Sequence, residues 1–351
     1  MNDFNTEGKS CQQIFSENFK ADAQRKLAKL QLKKVYNKSV IDWLIKQKKT
    51  KETEIAYEIY QCATFIEFSD IGGQAKISRA NFCRNRVCNV CAWRRQAKFL
   101  GQINPILAET SREGYEFVFT TLTVRNTSLK ALGETIDKMM KAYNKFLGRQ
   151  KINRAFVGSI RSVEITYNPD EETYHPHMHI LSAVNPDYFF NPDKYISQSE
   201  LTCIWRECLG VNYNPICHIE KVSNTSKAEV ETIKYALKPS QYEEALEGFY
   251  YVLKGRRLIS FSGIFSKYRK EFDKEQDGNL IDERGSNLYN AVAFHFDSTG
   301  GIYKFLNTYE SGERDYEEFK RICRAVEDTA NRTNDNPAKY GSLVGNPKVY
   351  I

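Results

Sequence analysis

The sequence predicts an α+β protein, because segments with strand-like and helix-like patterns follow one another along its 351 residues. Three observations carry this prediction. A run of β-branched and aromatic residues occupies positions 115–124, apolar residues at helical spacing follow it to position 147, and histidines alternate with other residues at positions 174–181 as in a strand. A chain of this length can bury more than one core, so two or three domains are expected.

Composition and charge limit the class of protein. A hydrophobic content of 41% excludes wholesale disorder. The sequence has neither an apolar run of about 18 residues nor the apolar segment of a signal peptide, so we expect a cytoplasmic protein without a membrane partner. The net charge is +7, and basic residues concentrate at positions 20–58 and 84–98. This distribution favours polyanion binding over a merely solvated basic face, and Arg94 and Arg95 would present guanidinium groups to phosphates.

Residues 1–105 predict a helical, basic region that contains a metal-binding segment. Apolar residues recur among lysines at positions 12–50, as in amphipathic helices. Cys83, Cys88 and Cys91 then form a C-x4-C-x2-C cluster, which in a cytoplasmic chain is typical of a structural zinc site. Cys62 is the candidate fourth ligand, although a lone cysteine among apolar residues is more often a buried core residue.

Residues 106–245 predict a core with the element order β-α-β-β-α-β. In chain order the elements are a strand at 115–124, a helix at 128–147, a strand at 159–167, a turn at 168–170 followed by the histidine strand, a helix with a capping box at 197–209, and a strand at 213–222. This order resembles the ferredoxin-like plan, in which helices cover one face of an antiparallel sheet.

Three of the five histidines lie at alternate positions of one predicted strand. Alternate side chains of a strand share a face, so His175, His177 and His179 point the same way. Because apolar residues stand next to them, a metal site is favoured over an exposed polar strand. A hairpin turn centred just after Asp170 would place Glu164 opposite His177 as a further ligand, whereas a slip of one residue would move Glu164 to the other face.

A further helix is predicted at residues 226–239. At about 100° per residue, Glu231, Tyr235 and Lys238 share a face that is turned away from the apolar stripe. An ordinary surface tyrosine beside an acid is the alternative interpretation. Residues 246–351 show weaker patterns, with a hairpin predicted at 290–306 and an acidic helix at 314–332, and form an extension to which no role is assigned.

Three segments resemble the ordered motifs of a known family. FVFTTLTVRN, VEITYNPDEETYHPHMHIL and EVETIKYALK are similar to the motifs of rolling-circle replication initiators (Rep proteins) of small bacterial plasmids, members of the HUH endonuclease superfamily. The resemblance covers about residues 60–265. It implies that His177 and His179 hold a divalent ion, Mn²⁺ or Mg²⁺, and that Tyr235 attacks DNA, with Glu231 one turn before it.

The resemblance also implies a fold, a reaction and partners. Residues 106–245 would form an HUH nicking and joining core that cuts one strand of the plasmid origin. Tyr235 would become joined to the 5′-phosphate, leaving a 3′-hydroxyl to prime synthesis, and Glu231 would activate water at termination. The zinc region with Arg94 and Arg95 would recognise duplex origin DNA, Lys238 would contact DNA, and host helicase and polymerase would follow.

Other classes of protein remain open on the sequence alone. A conjugative relaxase or a single-tyrosine HUH transposase would share the chemistry but serve a different genetic element. The histidine pattern also fits the histidine-triad nucleotide hydrolases, in which a histidine is the nucleophile. A non-enzymatic, zinc-dependent DNA-binding regulator would need neither the histidines nor Tyr235.

Overall fold

A computed structural model describes residues 15–222, 245–252, 254–276 and 289–309. The chain forms two compact units, of which the first combines Met1–Trp93 with Asn279–Ile351 and the second is Arg94–Gly278. The α+β class is confirmed, and the strands of both described sheets pair in antiparallel fashion. Among the described helices, none combines the length and the apolar character needed to span a membrane.

The elements are numbered here in chain order. The described helices are α1 (Glu17–Lys46), α2 (Thr50–Gln61), α3 (Asn89–Arg112), α4 (Leu129–Leu147), α5 (Gln150–Ala155), α6 (Gln198–Leu209) and α7 (Ile264–Gln276), with a 3-10 turn at Pro186–Phe189 and a π turn at Gly248–Val252. The described strands are β1 (Phe65–Ile71), β2 (Gln74–Ala80), β3 (Glu116–Thr123), β4 (Phe156–Asn168), β5 (Thr173–Val184), β6 (Cys217–Lys221), β7 (Ile259–Gly263), β8 (Ala291–Asp297) and β9 (Ile302–Tyr309).

The first unit combines a helical hairpin, α1 and α2, with a four-stranded sheet of order β2-β1-β8-β9. The hydroxyl of Ser16 accepts the N–H of Phe19 and caps α1, which buries Phe19, Leu27 and Leu30 completely. The predicted helices are therefore confirmed. The hairpin predicted at residues 290–306 is present as β8 and β9. Its incorporation into one sheet with β1 and β2 was not predicted, because β1 pairs with β8 across roughly 230 residues of sequence and no local pattern shows such a pairing.

The second unit is built on a five-stranded sheet of order β6-β3-β5-β4-β7. Its elements β3, α4, β4, β5, α6 and β6 follow the predicted order. On one face, α4 and α6 pack around Trp205, whose indole N–H donates to the carbonyl oxygen of Thr123 at 2.9 Å. On the other face, α3 and α7 cover part of the sheet through Ile106 and Phe265.

Two local features of this unit agree with the sequence analysis. The capping box of α6 is present, with the hydroxyl of Ser197 accepting the N–H of Glu200 and the carboxylate of Glu200 accepting the N–H of Ser197. The hairpin of β4 and β5 pairs Glu164 with His177, and the side-chain oxygen of Asn168 accepts the N–H of Asp170 at 3.0 Å in the turn. This register places Glu164 on the face that carries the histidines.

The division of the chain differs from the predicted three parts. The first boundary lies at residue 93, inside α3, rather than at 105, because residues 103–107 of this helix pack in the second unit. The described residues after 246 do not form one extension, since β7 pairs with β4 whereas β8 pairs with β1. The last strand of the predicted core is also shorter than expected, because Pro215 lacks the N–H that a ladder requires.

Candidate metal centres

The candidate catalytic centre lies on the face of the five-stranded sheet that α3 and α7 leave open. Pairing across β3, β5 and β4 places Thr123, His177 and Glu164 in one row. His179 lies in the next row, opposite Thr121. Each histidine side chain is 12% exposed and that of Glu164 is 17% exposed. The centre is therefore largely shielded, yet it remains reachable from solvent.

Three ligand atoms converge in this centre. Glu164 Oε2 lies 2.9 Å from His179 Nε2 and 3.3 Å from His177 Nε2. An octahedral ion with bonds of about 2.1 Å separates neighbouring ligand atoms by roughly 3.0 Å. The distances therefore fit one divalent ion held by all three groups, with coordination positions left for substrate and water.

The outer ring nitrogens orient both imidazoles. His177 Nδ1 lies 3.2 Å from the carbonyl oxygen of His175, and His179 Nδ1 lies 3.4 Å from the hydroxyl of Thr121. A carbonyl oxygen only accepts, so Nδ1 of neutral His177 carries the proton and Nε2 presents its lone pair to Glu164. A cation shared by the nitrogen and the carboxylate removes the repulsion between these two acceptors. The donor set thus fits a metal ion.

The charge of Glu164 suits a metal ligand. Burial alone would raise the pKa of its carboxyl group, but in the form in which Nε2 of His177 and of His179 carries a proton and no ion is bound, their hydrogen bonds to the carboxylate outweigh burial and lower that pKa to about 2. Glu164 is consequently an anion at every pH at which the protein is expected to work.

Glu164→Gln should lower the affinity for Mn²⁺ by at least about tenfold, since the amide keeps the size of the side chain but removes its charge. Calorimetric titration of the purified protein with Mn²⁺ measures this effect. Ser162→Ala, two residues away on the same strand and face, is the matched control. A Glu164→Gln affinity equal to that of Ser162→Ala would contradict the assignment.

His175 shares the strand but not the ligand cluster. Its Nδ1 lies 2.8 Å from Asn126 Oδ1, and its ring centre lies 5.3 Å from that of His177. The described group whose ligand atoms lie within 4.8 Å of one another contains Glu164, His177 and His179. Asn126 is therefore the side-chain partner that the structure gives to His175, whose participation in metal binding the sequence left open.

The four predicted cysteines come together in the first unit. Cys62 directly follows α2, Cys83 and Cys88 lie between β2 and α3, and Cys91 lies in the first turn of α3. Cys91 Sγ is 3.5 Å from Cys62 Sγ and 3.7 Å from Cys83 Sγ. A tetrahedral zinc ion with bonds of about 2.3 Å separates its sulfurs by roughly 3.8 Å. The cluster therefore fits zinc, and Cys62 belongs to it.

Amide groups point at these sulfurs. The backbone N–H of Arg84, which has a φ of 58°, donates to Cys91 Sγ at 3.2 Å, and the side-chain amide of Asn37 donates to Cys88 Sγ at 3.4 Å. Burial acts to raise the pKa of Cys88, but hydrogen bonds from the other three thiols lower it well below the ordinary value. Such donors stabilise the thiolate form that binds zinc.

Lys34 lies beside the cysteines and is only 2% exposed. Its Nζ donates to the carbonyl oxygens of Cys62 at 2.9 Å and Tyr60 at 3.1 Å, and lies 4.6 Å from the ring centre of Phe296. Burial lowers the pKa of Lys34 to about 8, and the neighbouring thiols oppose that shift. The ammonium group would offset part of the negative charge of a zinc–tetrathiolate centre.

Lys34→Met should lower the zinc affinity by about tenfold while leaving the metal-free protein at least as stable, because it removes a buried cation that has no carboxylate partner in the described part of the chain. Competition with a chelator measures the affinity, and thermal unfolding of the metal-free protein measures stability. The adjacent Lys33→Met is the control. Equal zinc affinity in both variants would refute the electrostatic role of Lys34.

The remaining predicted site residues divide into two groups. Glu231, Tyr235 and Lys238 lie outside the described residues. Arg94 and Arg95 lie in α3, where both are half-buried.

Sequence reasoning did not single out Lys34, Asn37 or Thr121. Of these, only Thr121 had a signal, because it lies at an alternate position of a predicted strand beside the histidine strand.

The fold and these centres define an α+β protein with a His/Glu cluster on an antiparallel sheet and a separate four-cysteine cluster, each of which could hold a metal ion. A family described as "Replication protein" matches residues 74–300, which is more than half of the chain. The chain belongs to this family of replication proteins. The resemblance to plasmid Rep proteins is thereby confirmed.

Curated relatives are named in the same way. "Protein rep" of Streptococcus pneumoniae serotype 2 (strain D39 / NCTC 7466) is 34% identical over 230 residues, covering 62% of this chain and 71% of the relative. "Protein rep" of Bacillus amyloliquefaciens is 30% identical over 292 residues, covering 74% of this chain and 84% of the relative. "Protein rep" of Staphylococcus aureus is 35% identical over 188 residues, covering 52% of this chain and 82% of the relative. No solved structure matches the chain.

Proposed function

We propose that this protein initiates rolling-circle replication of a plasmid by nicking one strand at a double-stranded origin. The observation that carries the proposal is the convergence of Glu164, His177 and His179 on one sheet face, in a chain of the replication protein family. The sheet order β6-β3-β5-β4, with α4 and α6 on the opposite face, supports an HUH core of the ferredoxin-like kind. Family membership favours replication over a relaxase, a transposase, a nucleotide hydrolase or a non-enzymatic regulator.

The proposed reaction is a transesterification. Mn²⁺ or Mg²⁺, held by His177, His179 and Glu164, would supply Lewis-acid activation of the scissile phosphate. The phenol oxygen of Tyr235 would lose its proton and bond to phosphorus, while the bond from phosphorus to the 3′-oxygen breaks. That oxygen takes up a proton and becomes the primer hydroxyl. At termination Glu231 would accept a proton from a water molecule, whose oxygen bonds to the phosphorus at the regenerated origin while the bond from that phosphorus to the 3′-oxygen breaks. The freed 3′-oxygen takes up a proton, and the strand is released.

The first unit has a proposed role in recognising the origin. Zinc held by Cys62, Cys83, Cys88 and Cys91 would order the segment that leads into Arg94 and Arg95, which would contact the phosphates of duplex DNA. Lys238 would contact the strand near Tyr235. In the cytoplasm, a host helicase would then unwind the duplex and a host polymerase would extend the free 3′-hydroxyl.

Tyr235→Phe should eliminate the covalent adduct, because the ring without its hydroxyl cannot bond to phosphorus. The assay incubates the full chain with a single-stranded origin oligonucleotide and Mn²⁺, and detects adducts that survive SDS. Tyr195→Phe, an exposed tyrosine of the second unit, is the control. A normal yield of adduct from Tyr235→Phe would overturn the assignment of the nucleophile.

Glu231→Ala should still nick and form the adduct but should terminate poorly, since a carboxylate activates water and cannot itself form a stable phosphodiester. A plasmid that carries two origins reports termination as release of the circle between them. Glu231→Tyr should instead cleave a second time and remain trapped on DNA. Normal termination by Glu231→Ala would contradict this role and leave Glu231 as an acid without a part in the reaction.

A further inference from the structure

We infer that Arg125 and Tyr213 form a binding subsite for one nucleotide of single-stranded DNA beside the metal centre. This inference rests on the proposed function, because it assigns a place to the strand that the enzyme would cleave. It adds a phosphate contact and a base contact that do not belong to the ligand cluster.

The position of Arg125 follows from the strand register. Thr123 lies opposite the ligand His177, and Arg125 lies two residues further along the chain, roughly 7 Å away. The chain still runs beside β5 at this point, because Asn126 Oδ1 lies 2.8 Å from His175 Nδ1 and Thr127 forms a backbone bridge with Tyr174. Arg125 is therefore one row beyond the metal centre.

Arg125 and Tyr213 hold each other in place. The guanidinium carbon of Arg125 lies 4.0 Å from the ring centre of Tyr213, and the backbone N–H of Arg125 donates to the Tyr213 hydroxyl at 3.2 Å. Arg125 is exposed, and its guanidinium forms no hydrogen bond or ion pair with the described residues. An arginine preorganised on an aromatic ring with unused N–H donors is suited to bind a phosphate.

An exposed apolar residue, Ile216, follows Tyr213 by three positions in the chain. Ile216 is 76% exposed, although its carbonyl oxygen accepts the hydroxyl of Thr123 at 2.8 Å and so anchors it beside the row of His177. Burial of such a side chain against a ligand is favourable. The cation, the ring and the apolar side chain together match the phosphate and the base of one nucleotide.

The occupant is single-stranded rather than duplex DNA. A base in a duplex has both faces covered by its neighbours, whereas an unpaired base can stack on a ring or on a guanidinium plane. The salt dependence of binding distinguishes the phosphate contact of Arg125 from the base contact of Tyr213. Each phosphate neutralised in a single strand contributes about −0.7 to the slope of log K against log salt, whereas stacking on a base does not change the slope.

The test measures binding of the full chain to a fluorescent single-stranded origin oligonucleotide at several salt concentrations. Arg125→Ala should weaken binding by roughly tenfold and reduce the salt slope by about 0.7, whereas Tyr213→Ala should weaken binding by roughly 5- to 150-fold and leave the slope unchanged. Arg154→Ala is the matched control, since this exposed arginine precedes β4 at the end distant from Glu164.

A base-removal series identifies the bound nucleotide. Abasic substitutions are placed one at a time within several nucleotides of the nick, and wild type is compared with Tyr213→Ala. At one position, removing the base should lower the affinity of the wild-type protein for the oligonucleotide. The same base removal should lower the affinity of Tyr213→Ala only slightly, because that variant has already lost the contact. This non-additivity is expected when the base and Tyr213 touch directly. Tyr213→Phe, which keeps the ring, should retain most of the affinity.

The outcomes separate the two proposals. If Arg125→Ala and Tyr213→Ala bind and nick like Arg154→Ala, or if no abasic position couples to Tyr213, the subsite is refuted while the nicking function stands. If the wild-type protein neither binds single-stranded DNA nor forms an adduct, the proposed function fails, and the subsite fails with it.

Discussion

His177→Ala and His179→Ala should each abolish nicking and adduct formation, with at least a roughly thousandfold loss of rate, because under the proposed function these side chains hold an ion whose activation of the phosphate would be worth several kcal/mol. The variants should still fold, since neither histidine belongs to the two hydrophobic core clusters that pack on the faces of this sheet. Adduct yield over time measures the loss, and circular dichroism and duplex DNA affinity report the fold.

His218→Ala is the matched control for these variants. His218 on β6 lies opposite Thr121, which itself lies opposite His179, so it occupies the same row two strands away. His218 is exposed, and its Nε2 lies 3.4 Å from Glu220 Oε2. It is not part of the Glu164, His177 and His179 cluster. Nicking at the control rate by either His177→Ala or His179→Ala would refute the metal centre.

Cys88→Ser or Cys91→Ser should reduce the zinc content from about one ion per chain to nearly none and should destabilise the first unit. Both thiols are buried, and zinc contributes about 10 kcal/mol or more to folding in small zinc domains at neutral pH. Duplex origin binding should be lost before adduct formation on a single-stranded oligonucleotide is affected, because the cysteines and the His/Glu cluster belong to different units.

Metal analysis of freshly purified protein measures the zinc, and urea unfolding measures the stability. Cys203→Ser is the control, since Cys203 is exposed and lies outside the cluster. Wild-type protein that contains no zinc when prepared without chelators would contradict the prediction, as would an unchanged zinc content in Cys88→Ser.

The sequence predicted what local patterns determine. The register of Glu164 with His177 followed from one turn, whose residues carry their own signal, and the capping box of α6 followed from two side chains three residues apart. Helix α3 went unrecognised, because Pro105 lies inside it and interrupts the pattern expected of a helix. It is nevertheless continuous, because tertiary packing overrides local propensity.

Contacts between distant parts of the chain were beyond the sequence. Lys34 meets Cys62 and Phe296 only after folding, and no periodicity relates these positions. The stack of Arg125 on Tyr213 likewise joins two loops that follow different elements. The spacing of Cys83, Cys88 and Cys91 was enough to recognise them as candidate metal ligands. Cys62 lies far from them in sequence, and only the turn between α2 and β1 brings it to the other three.

The pairing of β1 with β8 also sets the timing of folding during synthesis. A ribosome that adds about 5–20 residues per second needs roughly ten to fifty seconds to proceed from β1 to β8. Throughout that interval the nascent chain carries one edge of β1 without its final neighbour, an edge that can pair with another chain. The segment that forms the second unit is complete before β8 emerges, so a message cut after residue 278 would yield the five-stranded sheet and leave the four-stranded sheet of the first unit unfinished.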